Sequence, residues 1–146
     1  MVVQIDNRQS KHKIYPKRIK QTAQVILNAL DCPDGELSIL IVDDLQIEVL
    51  NVEYLNRTGA TNVISFPMQE GEFSNITPQL LGDVVISIET AHNEGENAGL
   101  SMDERFMQLL VHGILHLFGY DHEESKEEAD EMEKKSKELL DVLGVK

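Results

Sequence analysis

Residues 101–122 read SMDERFMQLLVHGILHLFGYDH, and this stretch decides the central element of the fold. Ser101 followed three positions later by Glu104 is a capping-box pattern, in which each side chain satisfies an orphan backbone N–H at a helix start. The apolar run Phe106 to Phe118 directly behind it predicts a long central helix, and Gly119 stops it. Downstream, Ala129, Met132, Ser136, Leu139 and Leu143 fall on one side of a last helix, from about Ser125 to Leu143, with Gly144 as its stop.

Upstream the chain alternates between strand and helix signals. Val2 to Asp6 reads as a short strand; Pro16 suits the first turn of a helix whose apolar stripe is Ile19, Ala23, Ile26 and Leu30. Cys32-Pro33-Asp34-Gly35 is a turn, and Glu36 to Val42 a strand buried on both faces near its end. Asp43 or Asp44 caps a helix carrying Leu45, Val49, Leu50 and Leu55 that ends before Gly59. Thr61 to Phe66 is a strand ended by Pro67, residues 69–79 a loop, Gly82 to Ile88 a strand, and Glu89 to Asn97 a polar helix. About four strands among about five helices predict an α+β (mixed α/β) fold, a small mixed sheet packed with helices. The spacings leave the strand order open.

With 146 residues and 16.5 kDa, the chain is expected to form one domain over residues 1–146. Its single cysteine, Cys32, allows no internal disulfide framework and suits a reducing compartment. No apolar run approaches the ~20 residues that span a bilayer, and the N-terminus has no signal-peptide core, so the expected location is cytoplasmic. The net charge of −13 is unevenly spread. Six bases (Arg8, Lys11, Lys13, Lys17, Arg18, Lys20) lie in the first twenty residues, whereas residues 21–120 hold fifteen acids and only two bases, Arg57 and Arg105. Such acidity weighs against a sequence-independent nucleic-acid coat but does not exclude a local site built from a metal ion and a small basic patch.

Three histidines supply that possibility. His112 and His116, four apart on a helix, project from one face with Cβ atoms about 5–6 Å apart, close enough for two ring nitrogens to reach one ion. Gly119 permits a left-handed turn that folds His122 back over the same face. Three imidazoles leave a tetrahedral position open, the catalytic rather than the structural pattern. His12 and His92 read as ordinary surface or core histidines, and Asp121 as either an orienting partner for a ligand histidine or a stabiliser of the turn. The frame is also that of metzincin peptidases, but Gly113 stands where those enzymes place a general-base glutamate.

His112-Gly-Ile-Leu-His116-Leu-Phe-Gly-Tyr-Asp-His122 resembles the signature of the YbeY endoribonucleases, bacterial metal-dependent single-strand ribonucleases. The likeness extends through Val42-Asp43-Asp44, Leu50-Asn51, the segment Thr61 to Pro67 and the segment Leu81 to Ser87. It implies a mixed α/β fold with zinc held by His112, His116 and His122, and hydrolysis of RNA phosphodiesters. It further implies a role in maturing ribosomal RNA (the small-subunit 3′ end) and in ribosome quality control, with RNA and the ribosome as partners and DNA not expected. The family's arginine after the tyrosine that follows Leu-Asn is replaced here by Leu55, next to Tyr54; Arg57, two residues on, is the candidate to take its catalytic role. Two rivals stand beside this reading: a metal-dependent hydrolase of another substrate, such as a metzincin-like peptidase, and a ribosome-assembly module that zinc merely staples.

Overall fold

The computed structural model describes residues 2–68, 80–120 and 125–145; the stretch 69–79, expected to be a loop, lies outside them. In chain order the elements are β1 (Val2–Asn7), α1 (Pro16–Ala29), β2 (Glu36–Val42), α2 (Asp44–Leu55), β3 (Val63–Pro67), β4 (Leu80–Ser87), α3 (Ile88–Ala98), α4 (Met102–Leu117) and α5 (Lys126–Leu143). The strands form one mixed sheet in the order β1-β2-β4-β3, an α+β architecture. β1, β2 and β4 run parallel, and β3 pairs antiparallel with β4 at one edge.

Alternation along the strands divides the core between the two faces of the sheet. Leu37, Ile39 and Ile41 of β2, with Val84 and Ile86 of β4, meet Ala23, Ile26 and Leu27 of α1 and the apolar side of α4. Ala91 of α3 and Met132 and Leu139 of α5 close the same cluster. The opposite face holds a smaller cluster, Val42, Ile64 and Val85 beneath Ile47 of α2. Being central to the larger core, α4 buries Phe106, Leu109, Leu110, Val111, Ile114, Leu115 and Leu117. It is therefore rigidly placed over the strands.

Several expectations shift in detail. Pro67 is the last residue of β3 rather than its terminator, because an edge strand can do without the N–H that proline lacks. Gly82 sits inside β4, not at its start, with φ +135°; a Cβ there would meet the Phe66 carbonyl oxygen at 2.2 Å. A glycine read as a boundary is thus a close approach of two backbones. On α2 the buried side chains are Ile47 and Asn51, whereas Leu45 and Val49 are 75% and 53% exposed. That helix covers its face of the sheet alone, so most of its apolar residues find nothing to pack against.

The segments around the strand ends are tied by polar contacts. Asp43 caps α2 in a full capping box with Gln46. The Asp44 carboxylate accepts from Ser87 Oγ and from Thr90 Oγ1 (2.6 Å), joining the starts of α2 and α3. Lys11 pairs with Glu89 at 2.8 Å, and Glu89 also accepts from the Asp44 N–H. Lys11 is thereby raised above the usual lysine range; the same contact, followed by the Asp44 N–H bond, holds Glu89 below the usual carboxylate range.

Candidate metal centre and its cleft

The site is built on the second half of α4, and its seating begins at Gly113. A Cβ there would lie 2.6 Å from Val84 Cγ1 and 3.1 Å from Val63 Cγ2, so only glycine lets the helix lie this close to the sheet. Ser65 Oγ donates to the Gly113 carbonyl at 2.8 Å and pins the helix to the edge strand. A glutamate at position 113, where metzincin peptidases place their general base, would be driven into β3 and β4.

α4 ends one turn later in a Schellman motif. With Gly119 at φ +92°, its N–H reaches the His116 carbonyl (3.0 Å) and the Tyr120 N–H the Leu115 carbonyl (3.1 Å). The left-handed turn expected at Gly119 is present, and it satisfies two carbonyls that the helix end leaves orphaned. Asp121 and His122 lie outside the described residues.

On this stretch of α4 two imidazoles converge. The Nε2 atoms of His112 and His116 are 3.1 Å apart, with ring centroids at 4.6 Å and planes inclined by 76°. Two nitrogens each roughly 2.0–2.1 Å from one tetrahedral ion would be about 3.3–3.4 Å apart, so the pair fits a shared divalent cation with almost no rearrangement. Among the described residues no three His, Cys, Asp or Glu side chains come together as a ligand group. His112 also lines an open cleft between α4 and α5, bounded further by Asn62, Arg105, Gln108, Ser136 and Leu140.

Arg57 follows the end of α2. Asn56 takes a left-handed conformation (φ 55°), the Arg57 N–H bonds the Asn51 carbonyl at 3.2 Å, and the buried Asn51 side chain donates to the Gly59 carbonyl at 3.0 Å. The Leu50-Asn51 pair therefore shapes the loop that carries Arg57. The Arg57 side chain makes no hydrogen bond or ion pair among the described residues. Two of the N-terminal bases are engaged elsewhere: Lys11 is held by Glu89 at the start of α3, and Arg18 lies 3.9 Å from Asp103 in the first turn of α4. Thirteen residues of helix separate Asp103 from His116, about 20 Å along the axis. Arg18 therefore sits at the opposite end of α4 from the histidines. His12 and His92 pack against each other with ring centroids 5.0 Å apart, and His92 lies beside Glu96.

Sequence reasoning missed one group beside the site. Arg105 Nε donates to Glu94 Oε1 of α3 at 3.0 Å, its Nη1 donates to Gln108 Oε1 at 2.7 Å, and Asn62 Nδ2 approaches the same Glu94 carboxylate at 3.3 Å. Its trace in the sequence is a polar stripe at helical spacing, Arg105, Gln108, His112 and His116, along an otherwise apolar helix.

Fold and site together define an α+β protein whose central helix ends in two convergent imidazoles. Comparison with known proteins makes the class specific. The family described as endoribonuclease YbeY matches residues 4–144. The endoribonuclease YbeY of Geobacter metallireducens is 51% identical over 144 residues, covering 98% of this chain and 96% of that protein. That of Aquifex aeolicus is 44% identical over 129 residues, covering 88% and 81%. The chain belongs to the endoribonuclease YbeY family. The solution structure of TM1509 from Thermotoga maritima shares the fold, with a TM-score of 0.64 at 21% identity over 97% of this chain and 91% of that one.

Proposed function

We propose that this protein is a zinc-dependent endoribonuclease that hydrolyses single-stranded RNA. Its setting is the maturation of ribosomal RNA, at the small-subunit 3′ end, and ribosome quality control in the cytoplasm. Family membership supports the RNA cleavage; the observation that carries the metal dependence is the 3.1 Å approach of His112 and His116 Nε2 at the end of a rigid helix. On this reading His122 supplies the third nitrogen after the Gly119 turn, and the whole chain, residues 1–146, acts as one unit. Among the described residues no helix is long and apolar enough to cross a membrane.

When bound, a divalent ion held by three neutral imidazoles supplies Lewis acidity toward a phosphoryl oxygen and a water acidic enough to attack near neutral pH. The chain's own residues do the rest. The packing of Gly113 fixes the helix, so the histidines are aimed before any ligand arrives. Arg57, on a loop shaped by Asn51, brings a guanidinium fork to phosphate as charge builds in the transition state.

The test is direct. Purified protein loaded with zinc should cut unstructured RNA and leave casein intact. Cleavage of casein would favour the peptidase rival. A protein that loses thermal stability but no turnover when stripped of metal would be the stapled module instead.

A further inference from the structure

We infer that Arg105 is a phosphate-binding residue of the RNA site, holding the substrate backbone in the α4–α5 cleft about two helical turns from the metal histidines. The inference rests on the endoribonuclease reading and adds to it a binding residue, and a direction in which the RNA leaves the ion.

Four observations carry it. Arg105 is one of only two cations in residues 21–120, in a chain of net charge −13, yet it lines the same cleft as His112. Arg105, Gln108, His112 and His116 follow at steps of three, four and four, so they share one face of α4. Seven residues put Arg105 about 10 Å along the axis from His112, a distance a single-stranded backbone covers in one or two nucleotides. Finally, the guanidinium is held rather than loose. Nε and Nη2 both lie 3.0 Å from Glu94 Oε1, Nη1 donates to Gln108, and the side chain retains 26% exposure toward the cleft. Each terminal nitrogen bears two N–H groups, so one on each is not taken by Glu94 or Gln108. A fork already oriented by two acceptors loses little freedom when it grips a phosphate.

Glu94 makes the proposal sharp, because it does two opposing things. Its carboxylate orients Arg105 and Asn62, but its charge repels the phosphate that Arg105 is to bind. Were the group only a tie between α3 and α4, removing either partner would weaken the protein and its RNA binding together. If Arg105 binds phosphate, the two substitutions act in opposite directions.

The experiment uses zinc-loaded protein, a fluorescein-labelled 2′-O-methyl oligouridylate that resists cleavage, and anisotropy titrations over a range of salt, with melting temperatures measured alongside. Arg105→Ala should weaken binding about tenfold and reduce the salt slope by about one. Arg105→Lys, which keeps the charge but not the fork, should recover only part of the affinity. Glu94→Gln keeps an acceptor for Arg105 and should tighten binding about threefold. Unchanged affinity and slope in Arg105→Ala, or weakening in both Arg105→Ala and Glu94→Gln, overturns the inference. Wild-type protein that binds no RNA overturns the endoribonuclease reading and this inference together; wild-type binding with an indifferent Arg105→Ala removes the inference alone.

Discussion

The middle of α4 and its C-terminal turn each depend on a glycine, and the two environments are opposites. Gly113 is walled in by Val84 and Val63, and any side chain there collides with the sheet. Among the described residues beyond its own chain neighbours, Gly119 has no atom within 4 Å of the place a Cβ would occupy, but its backbone sits at φ +92°. One glycine sets where the helix lies; the other sets where the chain goes next. His112 directly precedes the first glycine and His116 stands between the two, so the pair sits where the packed part of the helix gives way to its turn.

Substitutions can separate these two dependencies. Gly113→Ala should have the largest effect, since β3 and β4 give way only with the helix: a loss of about 1–3 kcal/mol, or some 3–10 °C in melting temperature, with RNA cleavage falling as α4 shifts. Equal stability and equal cleavage in that variant would mean the helix is not seated as described. Gly119→Ala adds a methyl to open space and should cost only about 1 kcal/mol, but zinc affinity should fall by more than that stability change explains. Calorimetric zinc titration beside a thermal melt reads both, and affinity that merely tracks stability would detach the turn from the site.

Arg57→Ala should leave the melting temperature unchanged while weakening RNA binding a few-fold and lowering its salt slope by about one; an unaltered slope removes Arg57 from the phosphate contacts. The smallest effect is expected at the start of α3. Because Lys11 and the Asp44 N–H hold Glu89 below its ordinary value, its charged form stabilises the fold above the usual carboxylate range, and that contribution is lost as pH falls through the depressed value. Glu89→Gln should therefore be slightly less stable than wild type at neutral pH and converge with it in acid, with cleavage untouched. A stability gap that widened as pH fell would reverse the assignment.

Local chemistry made much of this visible in the sequence. The Ser101–Glu104 capping box acts at short range and was read directly, and the cap of α2 was narrowed to Asp43 or Asp44, of which the structure uses Asp43 in a box with Gln46. The Gly119 turn was equally legible, because a left-handed residue after an apolar helical run has few other uses. What escaped depends on distance. The order β1-β2-β4-β3 is fixed by which faces α1 and α2 cover, and no local signal encodes that. Leu45 and Val49, which the sequence places among the apolar residues of α2, lie exposed because such a pattern shows that residues are apolar, not whether anything meets them. Arg105 was hidden in the same way: a polar stripe looks like a solvated face until Glu94, eleven residues upstream on another helix, is seen holding it.

The central claim is that His112, His116 and His122 hold one divalent ion on which RNA cleavage depends. Metal content and ribonuclease activity measured on the same preparations of wild type and His116→Ala test it most directly. The account predicts about one zinc per wild-type chain with RNA cleavage, and a folded His116→Ala protein that has lost both. Full cleavage by metal-free His116→Ala would contradict it.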